Sequence, residues 1–365
     1  FHQLGYSPLE IALLFIFYEF FGVVTNLVGG YLGARMGLNR TMNIGLFLQI
    51  AALAMLAVPA AMLTVPWVMA AQALSGIAKD LNKMSAKSGI KLLVPDEQQS
   101  TLYQWVAILT GSKNTLKGVG FFLGGVLLMS VGFTGAVLIM AAALGLVWLA
   151  SLFLLKQELG KSKAKPKFRE ILSKSRAINV LSAARMFLFG ARDVWFVVAL
   201  PVYLHTVFGW DFWKVGGFMA TWIIGYGFIQ TFAPRITGNI ESKQPAVFWA
   251  AALALIPAAI ALGLMAGWPP QVVVIGGLLL FGVLFAINSS LHSYLIVSYA
   301  RGDGVSLDVG FYYMSNAAGR LLGTILSGWV YQVYGLEACL WISAGLVAMA
   351  SLLSLMLPQR HETLT

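Results

Sequence analysis

The sequence predicts an all-α polytopic membrane protein: eleven spanning helices in two parallel halves. Three observations point there. The chain is far too apolar for water, its apolar runs have helical spanning length, and its two halves repeat one another.

Of 365 residues, 59% are hydrophobic and 10% charged, and the mean hydropathy is +0.81. Soluble domains carry about 25% charged residues and are about 45–50% apolar. Disorder requires low hydrophobicity and high charge, so that class is excluded too. A spanning helix needs about 20 apolar residues. Ten to twelve of them with short loops would consume the chain and leave no room for a water-soluble catalytic domain.

Runs of spanning length fall at roughly 8–34, 41–62, 66–91, 101–130, 134–155, 177–205, 213–235, 245–266, 271–299, 305–331 and 336–357. Boundary residues mark their ends, among them Ser7-Pro8, Pro66, Pro95, Pro245, Pro269-Pro270 and Pro358. Closed barrels span bilayers with alternating segments of about ten residues. Gly135–Leu155 is almost continuously apolar instead, so helices are expected.

The formal net charge of +10 has a local explanation. Lys156, Lys161, Lys163, Lys165, Lys167, Arg169, Lys174 and Arg176 share one short stretch, the mark of a cytoplasmic loop. Arg35, Arg40, Lys91, Arg235, Lys243, Arg301 and Arg360 then fall on the same side, and only Lys214 opposite. This pattern favours loops at a membrane over a nucleic-acid surface. The single cysteine, Cys339, permits no internal disulfide and no cysteine metal site.

The repeat comes in three blocks. Leu4–Ile11 resembles Phe208–Val215. Ser112, Lys117, Gly120, Gly125 and Gly132 match Ser315, Arg320, Gly323, Gly328 and Gly335. Asn82 and Ile90 match Asn288 and Ile296. Three blocks in order at nearly one offset predict two parallel halves. The second half has a run, 177–205, with no counterpart ahead of residue 4. The expectation is therefore a twelve-helix plan whose first helix is missing from this chain. Residues 1–155 would hold helices 2–6, 156–176 the basic cytoplasmic loop, and 177–365 helices 7–12.

Two six-helix halves joined by such a loop resemble the major facilitator superfamily. Gly30, Arg35, Gly37 and Arg40 fit its gating-loop signature between helices 2 and 3, with Ala34 where an acidic residue is usual. Gly120–Gly125 resembles its antiporter motif, with Phe121 in place of proline. The segments Lys79–Ser88, Thr110–Gly118 and Gly190–Trp195 resemble the organoarsenical efflux permeases of arsenic-resistance operons. That resemblance implies export of 1-arseno-3-phosphoglycerate and arsenate resistance. It also implies a bacterial inner-membrane location, a small anionic substrate and a monomer, without cofactor, metal or catalytic residues.

Charges at membrane depth point to an anion independently. Such residues are costly in lipid, so they face cavities and mark pathways. Lys79 lies about fourteen residues into its helix, near mid-membrane at about 1.5 Å per residue. Lys83, Lys113, Lys117, Arg192 and Arg320 lie at similar depth, and Arg185 nearer the cytoplasmic end. Lys79 and Lys83 share a face at i, i+4, as do Lys113 and Lys117. Seven cations against Glu19, Asp80 and Asp193 leave four positive charges, which favours a multiply charged anion. Asn114 joins the predicted substrate-binding set on the lysine segment. Glu19, Asp80 and Asp193 are the candidates for proton coupling.

Other readings stand beside these. Lys87 and Lys91 are expected to snorkel to headgroups. Adjacent Arg192 and Asp193 diverge by about 100° on a helix and need not pair. His292 reads as a hydrogen-bonded structural histidine. Gly29, Gly30, Gly33, Gly120, Gly124 and Gly125 read as close helix contacts, and Trp195 as an interfacial anchor. There is no phosphate-binding Gly-x-x-x-x-Gly-Lys-Ser/Thr loop and no Gly-x-Ser-x-Gly. Three functions remain open: an organoarsenical exporter, an organophosphate/phosphate exchanger of the same fold, and a transporter-like anion receptor.

Overall fold

The computed structural model describes residues 8–155, 159–163, 172, 174–238 and 243–358. Lys156, Lys165, Lys167 and Arg169 of the basic stretch, Leu4–Ser7 of the repeat, and Arg360 lie outside the described residues. The fold is all-helical: α1 (Pro8–Met36), α2 (Leu38–Leu56), α3 (Val65–Leu93), α4 (Gln99–Leu154), α5 (Arg176–Phe196), α6 (Ala199–Thr206), α7 (Phe212–Thr237), α8 (Gln244–Met265), α9 (Pro270–Tyr299) and α10 (Val305–Ser354). A single 3₁₀ turn, Ala60–Met62, follows α2.

Local chemistry places the ends. Gly37, at φ 96°, breaks α1 from α2 in a conformation that costs glycine little. Pro66 stands in the first turn of α3, where its missing N–H is harmless. Val94 is extended ahead of Pro95. Ser175 and Asp211 cap α5 and α7 by accepting from the N–H groups of Ile178 (3.3 Å) and Lys214 (2.8 Å).

α4 and α10 run for 56 and 50 residues. Unbroken they would be about 84 and 75 Å long, against a hydrocarbon core of about 30 Å. Each is interrupted by one glycine: Gly132 (φ 71°, ψ 178°) and Gly335 (φ 80°, ψ −174°). Only glycine adopts that backbone routinely, and these two are repeat partners. Asn82 and Asn288 match as well. Each side-chain amide donates one turn back, to Ala78 O (3.0 Å) and Leu284 O (2.9 Å).

Among the described residues, five segments are long and apolar enough to cross a membrane on composition alone: α4, Arg176–Thr206, α8, α9 and α10. α3 is not among them, because its second half carries Lys79, Asp80, Lys83, Lys87 and Lys91. Large apolar side chains such as Met129, Leu146, Phe153, Val272 and Leu279 cover the outer surface, which suits lipid rather than water.

Two seams join the helices before the linker to those after it. At the first, α1 meets α10. A Cβ on Gly30 would stand 2.6 Å from Ser306 O, and one on Gly310 would stand 2.7 Å from Asn26 O. Ser306 Oγ donates to Gly30 O at 2.9 Å. At the second, α4 meets α7, and a Cβ on Gly118 would stand 2.6 Å from Ala220 O. Small residues let these backbones approach. Gly29 and Gly33 make close contacts as expected. Gly120, Gly124 and Gly125 do not, since nothing lies within 4 Å of them. Gly118 faces α7; Gly120 and Gly124, two and six positions on, project elsewhere around the helix, and Gly125, two turns on, shares the face of Gly118 but a Cβ there meets nothing within 4 Å. Trp195 also departs from expectation. It is wholly buried, edge-on to Phe281 at 5.1 Å, because α5 is enclosed by its neighbours.

The linker end of the bundle is sealed. Leu38 N donates to Leu159 O (2.8 Å), Ser162 N to Ala34 O (2.8 Å), and Lys163 N to Asp303 Oδ1 (3.1 Å). Tyr294 and Ser298 of α9 donate to Gln99 of α4 at 3.0 and 3.2 Å, and Tyr103 packs on Tyr294. The residues that match the loop signature lie at this end. Gly30 is in the α1/α10 seam, Gly37 is the α1–α2 break, and Arg35 donates to the Tyr31 hydroxyl at 2.7 Å. Arg40 lies in the first turn of α2 and is exposed.

Overpacking a tight contact costs about 1–3 kcal/mol. Gly30→Ala should therefore lower the apparent melting temperature of the purified protein by several degrees, whereas Gly120→Ala should leave it unchanged or higher. A thermal-shift assay of both variants checks this.

Candidate functional site

Helices from both sides of the linker bring the mid-helix charges together. α1 supplies Glu19, α3 supplies Lys79, Asp80 and Lys83, α4 supplies Lys113, Asn114 and Lys117, α5 supplies Arg192 and Asp193, and α10 supplies Arg320. A cleft of about 340 Å³ is lined by Glu19, Asn114, Lys117, Arg192, Phe196, Tyr226 and Arg320, among others. That volume falls in the range of small-molecule sites. A narrow crevice of about 20 Å³, room for about one water, continues from it past Lys79, Asp80 and Lys83. Glu19 and Arg320 line both spaces, so the two form one site.

An ion-pair chain runs across it. Arg320 Nη2 donates to Glu19 Oε1, and Arg320 Nε to Asp193 Oδ2 at 3.3 Å. Arg192 Nε donates to Asp193 Oδ1 at 2.5 Å. The angle between adjacent helical positions does not require Arg192 and Asp193 to pair. They do pair, because the arginine side chain is long enough to reach back across the angle between neighbouring positions, and Asp193 is wholly buried. Asp80 is held by Lys83 Nζ at 2.7 Å and Asn26 Nδ2 at 3.1 Å. All three acids of the site are thus engaged.

The lysines add further positive charge. Lys79, Lys113 and Lys117 are exposed although they sit mid-helix. Lys79 and Lys117 open onto the crevice and the cleft. Lys113 feels the charges of Lys79, Lys83, Lys117 and Asp80, and Lys117 those of Arg320, Arg192, Asp193 and Glu19. Lys117 and Arg320 are repeat partners and share the cleft. Asn114 is oriented by Gln230 Oε1 (2.5 Å), and Gln230 Nε2 donates to the Tyr226 hydroxyl (3.0 Å).

Arg185 is set apart. It is 3% exposed and bonds Asn316 Oδ1 (2.9 Å) and Ser289 (3.3 Å), with the Phe189 ring between its guanidinium and the cleft side of α5. Lys87 does not snorkel. It is 2% exposed and donates to Thr110 Oγ1 at 3.0 Å, because α4 and α10 cover its face of α3. The i+4 spacing of Lys79, Lys83 and Lys87 carried that signal. Lys91 reaches Asp96 at 2.6 Å. His292 is fully buried, and among the described residues neither ring nitrogen has a hydrogen-bond partner, contrary to expectation. Gln230, Asn26, Phe189 and Tyr313 join the site only through the fold.

Removing one partner of a buried ion pair costs about 3–5 kcal/mol. Asp193→Asn strands Arg192 and leaves Arg320 with Glu19 alone, so it should strongly lower thermal stability. Adding Arg192→Gln to it should recover part of the loss, as a double-mutant cycle read by thermal denaturation will show.

No curated protein sequence matches the chain. Solved structures do. The human organic anion transporter MFSD10 (TETRAN) superposes with a TM-score of 0.77 at 18% identity, over 93% of this chain and 83% of that one. The proton:xylose symporter XylE, bound to 6-bromo-6-deoxy-D-glucose, gives 0.74 at 14% identity, over 95% and 86%. A bacterial homologue of the iron transporter ferroportin, in an outward-facing state, gives 0.72 at 16% identity, over 95% and 89%. At these identities the likeness is one of fold. The family model of the Major Facilitator Superfamily matches residues 1–307, and the chain belongs to that superfamily of membrane transporters.

Proposed function

We propose that the chain is a secondary active transporter that exports an organic polyanion by alternating access. The carrying observation is the cationic excess around a cleft shared by Lys117, Arg192 and Arg320, with Lys79, Lys83 and Lys113 adjoining. Arginine suits bidentate phosphate or carboxylate contacts, and lysine serves as a mobile point charge. An anion with charge at both ends would join the lysines of α3 and α4 to the arginines of α5 and α10. Bridging the two sides of the linker would couple binding to closure.

The architecture behind this reading is two halves, 1–155 and 177–365, with 156–176 as a cytoplasmic loop. Counting the arms of α4 and α10 separately, and α5–α6 as one interrupted crossing, gives eleven crossings. The protein would act as a monomer in a bacterial inner membrane, with Gly30, Arg35, Gly37 and Arg40 at the cytoplasmic gate. Glu19, Asp80 and Asp193 are the carboxylates through which protons could couple. An incoming anion would compete with Glu19 and Asp193 for Arg320.

The substrate reading, 1-arseno-3-phosphoglycerate, rests on the resemblance of Lys79–Ser88, Thr110–Gly118 and Gly190–Trp195 to organoarsenical permeases. A fold neighbour that is an organic anion transporter is consistent with the substrate's charge. A second reading, exchange of an ordinary phosphorylated three-carbon acid for phosphate, draws on the same cleft, because its cations address phosphate, carboxylate and acyl arsenate alike.

Everted vesicles test the first reading. Saturable uptake of 1-arseno-3-phosphoglycerate is expected, and Lys117→Ala should lower kcat/KM by about tenfold or more, the effect of losing one charge-assisted contact. Absence of saturable uptake, or uptake indifferent to Lys117→Ala, contradicts it. Added 3-phosphoglycerate separates the two readings. Competition at equal concentration favours the exchanger, and indifference to a large excess favours the organoarsenical exporter.

A further inference from the structure

The column of cations does not stop at the cleft. Towards the linker end lie Lys87 on α3 and Arg185 on α5, each nearly fully buried and each within the other's field. Among the described residues neither forms an ion pair. Among the described residues their hydrogen-bond partners are all neutral: Thr110 for Lys87, and Asn316 and Ser289 for Arg185. Two like charges out of water and without an acid are strongly unfavourable unless something neutralises them.

Two aromatic rings divide this pair from the cleft. The Tyr313 ring lies 4.2 Å from Lys83 Nζ and 5.5 Å from Lys87 Nζ. The Phe189 ring lies 4.8 Å from Arg192 Cζ and 3.9 Å from Arg185 Cζ. Each ring is therefore shared by one cleft cation and one lower cation. α3 runs towards the linker end and α5 away from it, so Lys87 and Arg185 occupy one level below Lys83 and Arg192. Ring faces attract cations, but they carry no net charge and cannot neutralise one.

Two further buried polar groups neighbour Arg185. His292, wholly buried and within the field of Arg185, has no partner at either ring nitrogen among the described residues. The Ser182 hydroxyl, one turn before Arg185 on α5, is also buried without a partner. Buried polar atoms are seldom left so.

We propose that Lys87, Arg185, His292 and Ser182 form a second anion site for a tetrahedral oxyanion, inorganic phosphate or the phosphoryl end of an organic phosphate. The Phe189–Tyr313 floor separates it from the cleft. The lysine supplies a point charge, the arginine a fork of donors, and the imidazole and hydroxyl one donor each. Sealed from the linker end in this conformation, the site becomes the first contact for an anion entering from that side once the seal opens. Its occupancy does not depend on what the cleft transports.

Equilibrium dialysis of radiolabelled inorganic phosphate against the full-length protein in lipid nanodiscs tests it. The wild type should bind one more phosphate per chain than either Lys87→Gln or Arg185→Gln, and Lys87→Arg should restore the lost equivalent. Lys117→Ala, in the cleft, should retain it. If neither glutamine variant loses an equivalent, the site does not exist. A crystal structure of the wild type grown with selenate, whose selenium scatters anomalously, needs no variant. A peak between Lys87 and Arg185 upholds the site, and a peak confined to the cleft overturns it. Excess 3-phosphoglycerate then names the source. Displacement of the lower phosphate points to an organic phosphoryl group and retention to free phosphate, and either result upholds the site.

Discussion

Charge inside a membrane is the constraint around which this molecule is arranged. Each ionised side chain at depth is unfavourable by about 3 kcal/mol or more, and the chain places a cluster of them at one level. Glu19, Asp193 and Asp80 offset part of that cost through Arg320, Arg192 and Lys83. The same bonds tie α1, α5 and α10 into one unit. Lys79 and Lys117 are tolerable because the crevice and the cleft reach them. The glycine seams of α1 with α10 and α4 with α7 bring backbones close enough for side chains from both sides of the linker to converge.

The internal repeat explains how that convergence arises. Gly132 and Gly335 break two long helices at equivalent places, Asn82 and Asn288 make the same backward hydrogen bond, and Lys117 and Arg320 come to one cleft from opposite sides. The frame is near-symmetric while the charges are not. Acid Asp80 on α3 has Ala286 at the corresponding place on α9, and Lys87 has Ser293. The lysine-rich side and the arginine-rich side therefore present different chemistry to the two ends of a bound molecule.

Much of this was legible from the residues alone. Span length, the boundaries at Pro66, Pro95 and Pro269-Pro270, and the helix breaks near residues 132 and 335 follow from local rules. So does the stripe of Lys79 and Lys83, since helical spacing fixes which positions share a face. What failed depended on neighbours distant in sequence. Lys87 lies on the lysine stripe, but only the cover of α4 and α10 keeps it from headgroups. Gly120, Gly124 and Gly125 match a small-residue pattern, but the close contacts with α7 fall earlier on the helix, at Gly111 and Gly118. Trp195 looked interfacial because composition cannot reveal that α5 is enclosed. The pairing of Arg192 with Asp193 turned on side-chain reach, which backbone geometry alone underestimates.

The central claim is that net positive charge in the cleft selects its guest. Its most direct test is a ligand series of rising charge on one three-carbon skeleton: neutral glycerol, singly charged glycerate, and multiply charged 3-phosphoglycerate. Each is titrated into the purified protein at low and high salt, and thermal stabilisation is read out. The account predicts stabilisation that grows with charge, shrinks with salt, and is lost for the phosphorylated ligand in Arg320→Ala relative to that variant's own baseline. Equal stabilisation by glycerol and 3-phosphoglycerate would contradict it.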